Sequence, residues 1–387
     1  MPKVEVSINP GILDWVLSQL SNALAPQDAV DTLTAWREGR KTPTFHKVAE
    51  LSRKIHIPFG YFFMETPPED ENPLAEYRTV GSSPIPQASR DLLDTISSMT
   101  DVQDWMSDFC RAEGRDRLPF VGRFKDHQDD KNAIVRDIRG TLGLDTQWYN
   151  AVSDTSAAFR VFREKLQEVG VLVMMNGIVG GNTHRPLNLS EFRAFTLLND
   201  YIPLIFINAI DTAAGRLFSL AHETTHIWLG NKSLFNTMPD NQEDLSSDEQ
   251  LCNAVAAELL APSADFQRRW ENAAGSTAQK AKALADYFKC SPFVIARRAL
   301  DHHKITRTQY AGLIEAFTKE WRSGYKVKQG SGGNFYNTMG SRLDHNFLRA
   351  LAASVRSGET PYMEAYRLTK ARGDAFEKLV DMAGTAR

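Results

Sequence analysis

Two histidines and a glutamate occur with the spacing H-E-x-x-H near the middle of the chain. They are His222, Glu223 and His226, within a stretch that runs from Arg216 to Gly230. Four residues of α-helix turn the chain through about 400°, so both histidines stand on one face, one turn apart. Two neutral imidazoles so placed can bind one Zn²⁺, and Glu223 beside them can act as a general base. The spacing predicts a zinc site; the alternative is a surface helix with two histidines of no special role.

The segments on either side of the motif favour the zinc site. Residues 202–208 are a short apolar run rich in β-branched and aromatic residues, which predicts a strand. A turn is expected at 211–215, a helix from about Arg216, and a helix end at Gly230, a residue suited to the left-handed conformation. Histidine and glutamate side chains on a helix behind a buried strand are costly unless they have partners. A metal ion would supply that partner.

A catalytic zinc usually takes three protein ligands, so a third must lie elsewhere in the chain. The next predicted helix begins at Ser247 and ends before Pro262. At about 100° per residue, Glu249 and Asn253 share one face of this helix, whereas Glu258 points away from them. Glu249 is therefore the preferred third ligand, and Glu258 is the alternative.

Glu249 also has an explanation that involves no metal. Ser246 precedes it by three residues, which is the capping-box spacing in which the glutamate satisfies backbone N–H groups at the helix start. Asn253, one turn further on, favours the metal because an amide can hold a ligating histidine through its other ring nitrogen. We predict His222, His226 and Glu249 as metal ligands, Glu223 as the catalytic residue, and Asn253 as the residue that supports a ligand.

The composition is typical of a soluble globular protein. The 387 residues are 42% hydrophobic and 24% charged, and the formal net charge of −3 gives no overall electrostatic case for binding nucleic acid or a membrane. The longest apolar runs are under half of a bilayer span, and the N-terminus lacks a signal-peptide profile. The three cysteines are widely spaced, which predicts reduced thiols and a cytoplasmic location.

Four regions are expected along the chain. Residues 1–66 read as a helical module, 67–150 as a linker and helical connecting region, 151–325 as the zinc peptidase domain, and 326–387 as a helical extension. Strands are predicted at 171–175, 192–198 and 202–208, the last directly before the metal-binding helix. The predicted fold class is α+β and mostly helical, with a small sheet beside the H-E-x-x-H helix.

The residues around the motif resemble the ImmA/IrrE metallopeptidases, which are zincins of the gluzincin type. The likeness rests on the residues leading into H-E-x-x-H and on the stretch E-x-x-C-N-x-x-A-A-E-L-L-A-P, which runs from Glu249 to Pro262. Pro203-Leu-Ile-Phe-Ile-Asn208 is similar to the strand before the motif in that family. The resemblance implies His222 and His226 as ligands, Glu223 as the catalytic base, and Glu249 as the downstream glutamate.

The N-terminal module resembles helix-turn-helix regulators of the lambda-repressor (XRE) type. The similarity lies in Trp36-Arg-Glu-Gly-Arg-Lys-Thr-Pro-Thr44, which in that family precedes the last core helix. The module is shorter than usual before this point, and Pro26 falls where the second helix should run. Arg37, Arg40 and Lys41 are the candidates for contacts with DNA phosphates. The alternative is a degenerate module that serves packing or protein contacts.

The resemblance implies a zinc-dependent endopeptidase that cleaves a specific regulatory protein, a repressor or antitoxin-like regulator encoded nearby. The alternative is a non-proteolytic regulator or antitoxin of a toxin–antitoxin pair, which binds a partner protein and DNA and has a structural or vestigial metal site. Glu223 favours the peptidase, because a structural site needs no base. The donor that would stabilise an oxyanion remains open among His184, Arg297, His302, His303 and Tyr310.

Overall fold

The computed structural model describes residues 4–20, 26–68, 78–79, 88–126, 130–235, 246–324 and 340–385. Contacts divide the chain into two compact units. One consists of residues 1–76 and 84–97, and the other of residues 77–83 and 98–387. The predicted boundary at residue 325 lies outside the described residues, and the boundaries expected at 66 and 150 stay predictions.

The first unit is helical in its described part. Its apolar side chains form one core in which Ile12, Val16, Leu33, Val48 and Phe62 are fully buried. The side-chain hydroxyl of Thr44 caps the third helix by accepting from the N–H of Lys47. The helices are α1 (Pro10–Leu20), α2 (Gln27–Arg37) and α3 (Phe45–Ile55), followed by a 3₁₀ helix (Phe59–Phe63).

Helices also dominate the rest of the described chain, which confirms the mostly helical fold class. None of the described helices is long and apolar enough to cross a membrane. They are α4 (Arg90–Ala112), α5 (Lys131–Leu142), α6 (Thr155–Glu168), α7 (Ala213–Leu229), α8 (Ser247–Leu260), α9 (Ser263–Asn272), α10 (Thr277–Phe288), α11 (Pro292–Asp301), α12 (Arg307–Gly324), α13 (His345–Ser357), α14 (Tyr362–Thr369) and α15 (Asp374–Thr385), with a 3₁₀ helix at Trp148–Ala151.

A small mixed sheet lies in the second unit. The strands are β1 (Arg78–Thr79), β2 (Leu172–Asn176), β3 (Ala194–Leu197), β4 (Leu204–Asn208) and β5 (Ser233–Phe235). Their order is β1-β5-β3-β4-β2, with β3 antiparallel to both neighbours and the outer pairs parallel. The strands predicted at 171–175, 192–198 and 202–208 are present with shifted or shorter ends. β1 and β5 were not predicted, because two or three residues are too few to show an alternating pattern.

Helix α7 carries the H-E-x-x-H motif, and it begins earlier than the sequence suggested. The hydroxyl of Thr212 caps it by accepting from the N–H of Gly215, so the helix starts at Ala213 rather than near Arg216. The predicted turn is therefore wrong over residues 213–215. A Cβ at Gly215 would overlap the carboxylate of Asp211, which explains a glycine in the first turn of a helix. The predicted end is correct, because Gly230 adopts a left-handed conformation with φ of 70°.

The C-terminal region is joined to the outer strand β2 by buried polar groups. Asp344 is fully buried and caps α13, and its Oδ2 accepts from the backbone N–H of Val173 at 3.0 Å. The guanidinium of Arg163 donates to the carbonyl oxygens of Val173, Ser341 and Leu343 at 2.8 to 2.9 Å. These bonds satisfy both outward-facing backbone groups of Val173, at the side of β2 where the sheet has no further strand.

Candidate metal centre

Three buried side chains converge between α7 and α8. The Nε2 atoms of His222 and His226 lie 3.1 Å apart, and both residues are fully buried. Glu249, in the first turn of α8, directs its carboxylate at them. Its Oε2 lies 3.1 Å from Nε2 of His222, and its Oε1 lies 3.3 Å from Nε2 of His226. The structure thus brings together all three residues that the sequence suggested as ligands.

The first turn of α8 shows why Glu249 can serve both the helix and the histidines. The hydroxyl of Ser246 accepts from the backbone N–H of Glu249 at 3.4 Å, so the serine half of the capping box is present. In a full capping box the carboxylate of Glu249 would also accept from the backbone N–H of Ser246. Here that carboxylate contacts the two imidazoles instead. The backbone of Glu249 is therefore capped while its side chain faces the centre.

The hydrogen bond between Asn253 and His222 determines where the histidine carries its proton. Oδ1 of Asn253 lies 3.1 Å from Nδ1 of His222, and an amide oxygen can only accept a hydrogen bond. The proton of the neutral ring is therefore on Nδ1, and the lone pair of Nε2 points at the carboxylate of Glu249. Oε2 of Glu249 is buried without a hydrogen-bond partner among the described residues. A cation between two electron-rich atoms at this distance would stabilise both.

The distances and the charge balance both fit a zinc ion. Bonds of 2.0 to 2.1 Å at tetrahedral angles place ligand atoms about 3.3 Å apart, close to the 3.1 to 3.3 Å found here. Burial alone would raise the pKa of Glu249, but the cationic forms of His222 and His226 outweigh it and lower that pKa, an effect that a bound cation would reproduce. Burial alone would lower the pKa of His226, yet contacts with Cys252 and Glu249 raise it. The pocket between these groups favours positive charge.

Glu223 lies beside the histidines with its carboxylate fixed at one oxygen. Oε2 accepts hydrogen bonds from the hydroxyls of Ser233 in β5 and of Thr196 in β3, the latter at 2.5 Å. Oε1 is buried and has no hydrogen-bond partner within the described part of the chain. Sequence reasoning did not find Thr196 or Ser233, since only the packing of the sheet against α7 brings them to the motif.

A third side chain of α8, Cys252, also faces the centre. It is fully buried, and its sulfur and the ring nitrogens of His222 and His226 lie within 4.8 Å of one another. The wide spacing of the three cysteines predicts ordinary reduced thiols and gives no hint of this position. The signal that could have singled out Cys252 is its place between Glu249 and Asn253, one residue before the side chain that holds His222.

Glu258, the alternative ligand, lies in a different cluster. Its carboxylate accepts from the backbone N–H of Ser263 at 2.8 Å, from the Ser263 hydroxyl at 2.6 Å and from Arg298 at 2.6 Å. Burial raises the pKa of Glu258, but Arg298 and Ser263 more than offset this and lower it to about 2. Glu258 is therefore part of a buried ion pair, the role that its position opposite Glu249 on α8 indicates.

A cleft of about 910 Å³ runs along α7 and α8 and reaches Asn253. The polar residues at its wall include Ser219, whose buried hydroxyl has no hydrogen-bond partner in the described ranges. Of the five candidate oxyanion donors, Arg297 and His302 line this cleft. Arg297 pairs with Asp301 at 2.8 Å, and Nδ1 of His302 lies 2.9 Å from the amide of Gln267. The apolar wall includes Phe218, Leu251, Ala254, Phe293 and Phe317.

The residues predicted to contact DNA lie in the first unit, where two of them form ion pairs. Arg37 binds Asp14 with 2.5 Å between nitrogen and oxygen, and this raises the pKa of Arg37. Arg40 pairs with Glu38, and Lys41 is exposed. Contacts of these residues with DNA stay a prediction.

Comparison with known families agrees with this geometry. Residues 167–300 match the family model of the IrrE N-terminal-like domain, a family of peptidases. This segment is similar to the IrrE N-terminal-like domain. The domain contains both histidines of the motif, Glu223, Glu249 and Cys252. Residues 343–382 match a domain of unknown function, DUF8813, and neither match extends to residues 1–66. No curated protein and no solved structure matches the chain.

Proposed function

We propose that the protein is a zinc-dependent endopeptidase in which His222, His226 and Glu249 hold the metal and Glu223 is the general base. The observation that carries the proposal is the convergence of two imidazole Nε2 atoms and one carboxylate, at separations of 3.1 to 3.3 Å, in a buried site. The peptidase family matched by residues 167–300 supports the same conclusion, and its members use zinc.

The roles of the side chains follow from their hydrogen bonds. Zinc, when bound, lowers the pKa of a coordinated water and polarises a peptide carbonyl. Asn253 keeps the proton of His222 on Nδ1, so the lone pair of Nε2 stays available to bind the metal. Two hydroxyls bind Oε2 of Glu223, which leaves Oε1 to take a proton and return it to the leaving amine.

The cleft that reaches Asn253 supports a polypeptide substrate. Aromatic and aliphatic side chains form part of its wall, and charged residues of both signs are spaced between them. Such a lining suits an extended segment with apolar side chains. We propose a regulatory protein encoded nearby, a repressor or an antitoxin-like protein, as the substrate.

The test combines metal analysis with one substitution. We expect the purified protein to contain about one zinc ion per chain, and Glu223→Gln to keep it while cleavage of proteins encoded beside this one slows about a thousandfold. Glu168→Gln is the matched control, because Glu168 is exposed and pairs with Lys165 on its own helix. A protein that cannot be loaded with zinc, or equal cleavage by Glu223→Gln, would refute the proposal.

The second candidate function is a regulator or antitoxin that binds a partner protein and DNA without cleaving anything. The complete burial of His222, Glu223 and His226 favours this alternative, since a structural metal site is closed to water. It requires that removal of zinc unfold the domain. It also requires that Glu223→Gln bind its partner and act in the cell as the wild type does.

A further inference from the structure

The three cysteines of the chain are all buried, but their surroundings differ. Cys290 packs in the apolar core, and its sulfur contacts the backbone carbonyl of Ser291 at 3.8 Å. Cys110 is buried on α4 near Arg115. Cys252 faces His226 and the carboxylates of Glu223 and Glu249. A thiol that only filled space would not need to stand among two histidines and two glutamates.

We propose that Cys252 is a further protein ligand of the metal, supplying a thiolate beside His222, His226 and Glu249. The inference rests on the proposed zinc site and adds a donor to it. Zinc accepts sulfur, nitrogen and oxygen ligands in the same tetrahedral site. The thiol gives up its proton when it binds the metal and takes one back when it leaves, so the exchange is balanced without any oxidant.

The position of Cys252 on α8 makes the contact accessible. Cys252 follows Glu249 by three residues, so the two side chains lie about 60° apart on the helix and emerge one turn from each other. The sulfur already lies within 4.8 Å of a ring nitrogen of each histidine. Oε2 of Glu249 is buried without a hydrogen-bond partner in the described chain, which points to an ion at the place that these groups share.

The consequence is a site with two forms. With His222, His226, Glu249 and Cys252 all bound, four protein donors complete a tetrahedron and no position is left for water. Release of the Cys252 thiolate opens one position and leaves the three donors of a catalytic site.

Cobalt is the probe for the thiolate. Full-length protein is stripped with a chelator and reloaded with Co²⁺, which reports sulfur ligation by an intense near-ultraviolet charge-transfer absorption. We expect this absorption in the wild type and in the control Cys290→Ala, and its loss in both Cys252→Ala and Cys252→Ser, with folding checked by circular dichroism. Bound cobalt without the absorption in the wild type, or the absorption unchanged in Cys252→Ala, would overturn the inference alone. Failure of the wild type to bind cobalt or zinc would overturn the metal site as well.

A second measurement separates the two α8 donors. Zinc affinity is measured by competition with a chelating dye for Glu249→Ala, for Cys252→Ala and for the double variant. If Cys252 is a ligand, the double variant binds zinc at least about tenfold more weakly than Glu249→Ala, because the last α8 donor is gone. Equal affinities of Glu249→Ala and the double variant would contradict ligation by Cys252.

Discussion

Glu249 is buried and Glu258 is half-buried on the same helix, and their carboxylates meet opposite kinds of partner. Glu258 meets a buried guanidinium and three hydrogen-bond donor groups in all, so the protein itself neutralises it. Glu249 meets two imidazole nitrogens, and at least the one on His222 presents a lone pair because Asn253 holds the proton on the other side. One carboxylate is complete without a ligand, whereas the other is not.

The difference shows how a structural carboxylate is distinguished from one that awaits a cation. Both carboxylates are largely removed from solvent, Glu249 more completely than Glu258, and the pKa of each is lowered. The two carboxylates differ in whether their partners have a proton to donate. Arg298 is always charged and donates, whereas a neutral histidine whose Nδ1–H is engaged can offer only a lone pair.

The largest expected effect is on metal binding. Glu249→Ala should weaken zinc affinity about a thousandfold, equivalent to roughly 4 kcal/mol, because an oxygen ligand is lost from the site. Glu258→Ala should retain the affinity of the wild type, since its carboxylate lies in a separate cluster. Chelator competition measures both. The reverse outcome would exchange the roles of the two glutamates.

The next effect concerns stability and falls on the other carboxylate. Glu258→Ala should lower the free energy of unfolding by about 3 kcal/mol at pH 7, because it leaves the buried Arg298 without its partner. Denaturant titration of the metal-free protein measures the loss, and Glu168→Ala on the surface is the control. A loss below about 1 kcal/mol would mean that Arg298 finds another partner.

The stabilisation by Glu258 should depend on pH. The pKa of Glu258 is about 2 in the folded chain against an ordinary value of 4.5, so the carboxylate stabilises the fold fully above pH 4.5. This contribution is lost as the pH falls from 4.5 toward 2. The difference in unfolding free energy between wild type and Glu258→Ala should therefore shrink across this window.

A smaller effect is expected at Asn253. Asn253→Ala should weaken zinc binding about 10- to 100-fold, because His222 loses the hydrogen bond that fixes its tautomer and its orientation. Asn253→Asp should restore most of the affinity, since a carboxylate also accepts from Nδ1. Zinc binding by Asn253→Ala as tight as that of the wild type would show that Asn253 does not determine how His222 faces Glu249.

The smallest expected effect is on the base. Ser233→Ala should slow cleavage about tenfold with zinc content unchanged, because Oε2 of Glu223 keeps only the hydrogen bond from Thr196. The rate is expected to fall through kcat rather than KM. A change confined to KM would indicate that Ser233 contacts the substrate instead of positioning Glu223.

The sequence predicted the parts of the site that depend on local periodicity. The helical repeat alone placed His222 and His226 on one face, and Glu249 with Asn253 on another. It also predicted β2, β3 and β4, because runs such as 202–208 are apolar and β-branched. The mostly helical fold with a small sheet follows from these local signals.

The remaining parts depend on contacts between residues far apart in the chain. Thr196 and Ser233 reach Glu223 only because β3 and β5 are neighbours, a pairing with no local signal. The start of α7 differs from the prediction because Thr212 caps the helix and a glycine occupies its first turn. A single cysteine has no pattern of its own, so only the place of Cys252 between Glu249 and Asn253 could have indicated it.

The bonds between Asp344, Arg163 and β2 determine how the molecule can be divided. The IrrE N-terminal-like domain matches residues 167–300, yet Val173 within it relies on Asp344 for its N–H and on Arg163 for its carbonyl. A fragment limited to the matched residues would lack both partners and expose an open strand edge, where chains add to one another. A fragment that keeps both bonds must begin before Arg163 and extend into α13 beyond Asp344.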